Sequence, residues 1–145
     1  MAGTIAILDD EIERLDAMLA VLSRRLPDFP IVTFRTAPET IEWLRTNLSS
    51  VALLSLDHDL IVELPGAPDM GTGRDVADFL AERPPVCHVI IHTTNSPAGT
   101  GMEMVLGDAG WSNSRVHPYG DLDWVTAWWI REVIDHLPAS ENKQP

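Results

Sequence analysis

Basic residues are scarce in this chain: 10 Lys and Arg stand against 22 Asp and Glu, a formal net charge of −12. That balance excludes broad binding to nucleic acid duplexes or to anionic membranes, which requires a basic face. It leaves room for a small phosphorylated ligand, because a bound metal reverses the local charge of an acidic pocket. Cysteine is nearly absent, and the single Cys87 excludes an internal disulfide and points to a reducing compartment. No apolar run approaches the roughly 20 residues that cross a bilayer. The start MAGTIAILDD lacks a basic segment and an apolar stretch long enough for a signal peptide. These absences predict a cytoplasmic protein with no membrane partner. No internal repeat interrupts the 145 residues, which fit one domain over residues 1–137 and a polar, disordered tail over 138–145.

What is present is a strict alternation of short β-rich runs with helical patterns. Thr4–Leu8, Ile31–Phe34, Val51–Leu56, Val86–His92 and Arg115–His117 read as strands. Between them, Ile12, Leu15, Leu19, Leu22 and Leu26 recur at helical spacing over 11–26. Further helices are predicted over 38–48, with Thr36 as cap, and over 74–83, 98–109 and 124–137. A Pro- and Gly-rich loop runs from Glu63 to Gly73. Five β-α units predict a doubly wound, five-stranded parallel sheet covered on both faces. Ligands of such sheets bind beyond the carboxyl ends of the strands, where strand order reverses.

The chemistry-bearing residues fall at those strand ends. Asp9 and Asp10 follow the first strand, Asp57-His58-Asp59 the third, His92 to Asn95 the fourth, and His117 the fifth. Carboxylates are hard oxygen ligands, so Asp9, Asp10 and Asp57 form a candidate divalent-cation site, Mg²⁺ foremost. The plainer reading is that Asp9 or Asp10 caps the helix beginning near Glu11. Strand alternation sends Asp57 and Asp59 to one side and His58 to the other, so one ion cannot hold all three unless the chain bends after Asp57. His58 and Asp59 are therefore candidates for a general base or an added metal ligand, or else a hydrogen-bonded rim pair. His92 and His117 are candidate proton carriers, against the plain alternative of strand-edge histidines with hydrogen-bonded rings.

Taken in order, ILDDE, LLSLDHDL, IIHTTN and VHP resemble the motifs of the receiver domain of two-component signalling, across nearly the whole chain. The resemblance implies a flavodoxin-like strand order 2-1-3-4-5, a Mg²⁺ site at the first-strand acids, and Asp57 as phosphoacceptor. It also implies that Thr93 takes the Ser/Thr position that meets a phosphoryl group. Where receivers carry a lysine, this chain has His117. Together with His58, Asp59 and His92, that departure is most similar to the cyclic-phosphate-processing receiver domains. That resemblance implies a small phosphorylated or cyclic-phosphate ligand, handled in a metal-dependent pocket with Asp57, His58, His92 and His117 as catalytic residues. The other reading it leaves open is a signalling receiver without turnover, acting through phospho-Asp57 or through protein contacts alone.

Asn95 with the following SPAGTG, and GTGR with Arg74 as a clamp, are candidate phosphate-binding elements, although ordinary helix starts explain them too. Cys87 reads as core filler, and His88 and His136 as structural. The last helix carries Trp124, Trp128 and Trp129 on a face wider than a surface helix needs. It is either deeply buried or offers a face to a protein partner or a second copy.

Overall fold

The computed structural model describes residues 3–61 and 69–138. The 63–73 loop therefore falls mostly outside the described residues, as does the tail from residue 139. Five parallel strands, β1 (Thr4–Leu8), β2 (Ile31–Phe34), β3 (Val51–Leu56), β4 (His88–His92) and β5 (Asn113–Val116), form one sheet in the order 2-1-3-4-5. Every residue of the central strands β3 and β4 is buried, whereas β2 is only half-buried along its length. That is the pattern of a sheet covered on both faces, with near-continuous apolar runs reserved for its middle.

Alternation along the strands divides the core into two layers. Ala6, Leu8, Leu54, Leu56, Val89 and Ile91 pack with Ala37, Leu44, Val76, Leu80, Met102 and Leu106. These last six belong to α2 (Ala37–Asn47), α3 (Gly73–Ala81) and α4 (Ser96–Asp108). On the opposite face Ile5, Ile7, Leu53, Ile90 and Val116 pack against α1 (Ile12–Arg25) and the C-terminal helical segment. Among the described residues, no helix is long and apolar enough to cross a membrane.

Local chemistry sets most element ends. The Thr36 hydroxyl accepts from the Glu39 amide at 3.3 Å and starts α2. Asn95 Oδ1 accepts from the Ala98 amide at 3.1 Å, so α4 begins at Ser96, two residues before the apolar pattern does. β4 begins at His88, not at Val86, because the Leu53–His88 pair opens its register with β3 and Pro84-Pro85 donate no amide hydrogens. β5 runs from Asn113, two residues earlier than its apolar pattern suggests, because the register continues to Val89–Asn113 through polar side chains. The last helix is not uniform: Val125–Trp129 forms a π-helical turn, and only Ile130–His136 (α5) is regular α-helix. Trp124 and Trp129 are fully buried against the sheet, while Trp128 is 55 % exposed. Two of the three tryptophans therefore lie in the core, and the third is exposed.

Candidate functional site

Register brings the acids together. Leu8 pairs with Leu56, and Leu56 with Ile91. One residue further on, Asp9, Asp57 and His92 therefore form a row across β1, β3 and β4, on the face covered by α1 and the C-terminal segment. Strand order reverses between β1 and β3, which is where an open α/β sheet forms its crevice. Asp9, Asp10 and Asp57 are all buried, and each offers an oxygen within 4.8 Å of the others.

His92 is held at both ring nitrogens. Trp129 Nε1–H donates to Ser55 Oγ at 2.9 Å, and Ser55 Oγ lies 2.7 Å from His92 Nδ1. His92 Nε2 lies 2.9 Å from Asp9 Oδ2. Indole is a donor only, so in the neutral ring the hydrogens run one way: Trp129 to Ser55, Ser55 to Nδ1, and Nε2–H to Asp9. Burial alone would raise the Asp9 pKa, but the hydrogen bond and charge of His92, the Glu11 amide and Arg14 together hold it below the ordinary carboxylate value. The Glu11 amide donates to Asp9 Oδ1 at 2.8 Å, so Asp9 also steadies the entry to α1. Asp57 behaves in the opposite way. Burial, which His92 partly offsets and the neighbouring Asp9 charge reinforces, pushes it up to about 7.

The chain bends after Asp57, as the alternation of side chains requires. The Asp57 amide still donates to Leu8 O at 2.9 Å, as a last rung of the ladder. The His58 amide then turns back to Asp57 Oδ1 at 2.7 Å. The first turn of α3 packs against this bend: Gly73 donates to His58 O at 3.0 Å, and a Cβ on Gly73 would collide with Asp57 O. Beyond the bend, His58 Nδ1 meets Asp59 Oδ1 at 2.7 Å, and Asn95 Nδ2 donates to Asp59 at 3.3 and 3.4 Å. The His58 hydrogen bond, against a smaller opposing effect of burial, holds Asp59 below the ordinary carboxylate value, with Asn95 and the His58 charge adding to it.

The other sequence candidates separate. Asp59 is exposed beside the half-buried His58 and lies outside the buried carboxylate group. Thr93 is buried, its hydroxyl accepting from the Asn95 amide at 3.1 Å. Arg74 pairs with Asp78 at 2.9 Å on the outer face of α3. The Thr72–Asp75 capping box makes GTGR a helix start. β5 pairs Val116, not His117, with His92, so His117 stands one residue beyond the row. It is exposed and lines a cavity of about 500 Å³ at the sheet edge with Tyr119, Trp128 and Arg131. His88 and His136 stack at 3.6 Å, and both ring nitrogens of His88 meet serine hydroxyls, Ser112 and Ser114. Burial pushes the Cys87 thiol up to about 12, far from any nucleophilic role at neutral pH.

One site residue has no counterpart among the strand-end motifs. Arg14, in the first turn of α1, brings NH1 to 3.6 Å from Asp9, 3.4 Å from Glu11 and 3.5 Å from Asp57. Its spacing from Asp10, four residues on, puts it in the first turn of the helix predicted over 11–26, but the apolar periodicity does not tell that this turn faces the acids.

A reversed parallel sheet with buried acids at its switch point defines a receiver-type domain. The Cyclic-phosphate processing Receiver domain family matches residues 5–108, and the chain belongs to that family. No curated protein matches the chain. Among solved structures, it is similar to a response regulator receiver domain from Rhodospirillum rubrum, with 22 % identity, TM-score 0.64, and 90 % of this chain and 89 % of that one covered. It is also similar to the response regulator domain of Thermotoga maritima CheB, with 12 % identity, TM-score 0.67 and full coverage of both chains. The phosphorylated cyanobacterial phytochrome response regulator RcpA aligns at 17 % identity and TM-score 0.62, with 93 % and 92 % covered. At these identities the likeness is one of fold.

Proposed function

We propose that this domain binds a divalent cation, Mg²⁺ foremost, and hydrolyses a small cyclic phosphate or nucleotide-type phosphoester at the rim above Asp57. The observation that carries this reading is the Asp57-His58-Asp59 bend. Within three residues, one carboxylate turns into a buried acid cluster and the next two side chains form a hydrogen-bonded pair at its rim, His58 half-buried and Asp59 exposed. The donor set fits a hard cation: Asp9, Asp10 and Asp57 supply three oxygens in mutual reach. Burial, with the Asp9 charge adding to it, raises the Asp57 pKa to about 7, a penalty on the ionised carboxylate that a bound cation would offset. Bound there, the cation would polarise the phosphoryl oxygens.

The chain's own residues then divide the work. Opening a cyclic phosphate by water forms one P–O bond and breaks another; the water loses a proton and the leaving oxygen gains one. His58 suits one of these transfers, since Asp59 engages Nδ1 and Nε2 has no hydrogen-bond partner among the described residues; the other oxygen, in line on the far side of phosphorus, exchanges its proton with solvent. His92, with both nitrogens engaged and its side chain fully buried, orients Asp9 and holds the floor of the site. Asn95 fixes Asp59 from the start of α4.

A second reading, phosphorylation of Asp57 without turnover, is favoured by Asp57 Oδ2, the oxygen not engaged by the His58 amide, and by the buried Thr93 at the end of β4. Phosphorus NMR of the protein with Mg²⁺ and a panel of cyclic phosphates and nucleotides separates the two. Steady conversion, lost in Asp57→Ala and reduced about 100-fold or more in His58→Ala, is expected for the hydrolase. No conversion across the panel, with stoichiometric labelling of Asp57 by acetyl phosphate, would establish the second reading instead.

A further inference from the structure

Building on the phosphoryl-site reading above, we infer that Arg14 is the phosphoryl-binding cation of this site, supplied by α1 in place of a basic residue at the end of β5. The chain has a single lysine, Lys143, outside the described residues, and His117 stands in the other cavity. Among the described residues, Arg14 is the one Lys or Arg whose side chain comes within 4 Å of the Asp9 and Asp57 carboxylates.

Its placement has three features of a group waiting for an anion. First, its contacts with Asp9, Glu11 and Asp57 are 3.4–3.6 Å, longer than the 2.7–2.9 Å or so of a formed charge-assisted hydrogen bond. None of its five N–H groups makes a hydrogen bond with the described residues, although the side chain is only 15 % exposed. Second, its guanidinium lies 5.7 Å from the centre of the buried Trp124 ring, which fixes its depth without using a donor. Third, Arg14 forms part of the wall of a cavity of about 440 Å³ that also takes in Thr94, Tyr119, Leu122 and Trp124. The remaining charged groups of that wall, Glu11, Glu13 and Asp121, are acidic, so Arg14 is its one basic residue. An anion entering the cavity finds a donor fork there and beyond it the carboxylate cluster.

Without metal, Arg14 partly neutralises the acids. A divalent cation held by Asp9, Asp10 and Asp57 would neutralise them more strongly and weaken the pull of the acids on Arg14, whose unbonded N–H groups would then serve a phosphoryl oxygen. Metal and Arg14 therefore compete for the carboxylates but cooperate on the phosphate.

The test is calorimetric titration of the full chain, first with Mn²⁺ and then, at saturating Mn²⁺, with inorganic phosphate, for wild type, Arg14→Ala and Arg14→Lys. Arg14→Ala should bind Mn²⁺ several-fold more tightly than wild type, because a competing charge is gone. It should bind phosphate about tenfold or more weakly, the cost of losing a charge-assisted pair. Arg14→Lys should recover part of the phosphate affinity, which also separates loss of charge from loss of fold. Equal phosphate affinity in wild type and Arg14→Ala, or no phosphate binding by metal-loaded wild type, would overturn the assignment. Neither titration depends on turnover, so the role of Arg14 is tested even in a domain that hydrolyses nothing in the NMR panel.

Discussion

At the residue scale, the site is a set of unequal carboxylates. Asp9 is kept ionised by His92 and its other partners, while Asp57, beside the same charges, is pushed up to about 7. The sign of the consequence follows from linkage. The folded chain holds a proton on Asp57 between an unfolded-state pKa of about 4 and about 7, and the unfolded chain does not. Stability from this group is therefore fully present below pH 4 or so and is lost as pH rises through about 7. Asp57→Asn removes that loss, so the metal-free variant should be more stable than wild type at pH 8 by on the order of a few kcal/mol, with the gap narrowing toward pH 5. Thermal melts across that range measure it. Adding Mg²⁺ should raise the wild-type Tm at pH 8 and leave that of Asp57→Asn nearly unmoved; an equal rise in both would place the cation elsewhere. Asp9, Asp10, Asp57, His58 and His92 were legible in the sequence because each stands at a strand end. Arg14 was not, because its role depends on where the first helical turn points it, which no strand motif encodes. His117 was legible as a departure from the receiver pattern, but its position was not, since the register of a four-residue edge strand decides it.

At the element scale, the site depends on how closely α3 approaches the end of β3. Gly73 permits a contact that no side chain tolerates: its added Cβ would collide with Asp57 O and lie 3.0 Å from Met102 Cε. Since the first of these is backbone, relief requires α3 to withdraw or the Asp57-His58 bend to open. Gly73→Ala should therefore lower stability by about 1–3 kcal/mol in chemical denaturation, as overpacking does. It should also weaken divalent-cation binding, because the displaced bend carries Asp57. An unchanged metal affinity in a destabilised Gly73→Ala would show that the bend is held by β3 alone. Strands and helices were readable to within a few residues wherever apolar periodicity was strong, as in α1 and β3. The ends that moved, those of β4, β5 and α4, are set by register and by the Asn95 cap, and these act on hydrogen bonds that periodicity does not see. The π-helical turn at Val125–Trp129 was likewise hidden, because it keeps Trp124 and Trp129 both inward in a way that 3.6-residue spacing does not anticipate.

At the scale of the whole molecule, one layer of the fold joins the functional rim to the opposite end of the same strands. The face of the sheet under α1 and α5 carries the row Asp9, Asp57 and His92 at its carboxyl end, and His88, stacked on His136, at the other end of β4. Both ends contain buried polar groups whose protonation changes on unfolding, so acid acts on this layer from two sides. Burial, reinforced by the His136 charge and opposed by Glu132, lowers His88 to about 4. A base with a depressed folded pKa contributes stability that is fully present above its unfolded value, near 6.5, and lost as pH falls toward about 4. Asp9, also depressed, loses its contribution only below the ordinary carboxylate range. Between pH 6.5 and 4 the two ends therefore oppose each other: His88 costs stability as pH falls, while the proton held on folded Asp57 adds it, so the slope that belongs to His88 is read in the Asp57→Asn background. His88→Gln keeps a side chain able to bond Ser112 and Ser114 but carries no titrating ring. In the Asp57→Asn background it should flatten the denaturation free energy across that interval while leaving the steeper fall below pH 4 in place. If the slope from 6.5 to 4 survives when His88→Gln is added to Asp57→Asn, the acid sensitivity of this face does not arise at the histidine stack.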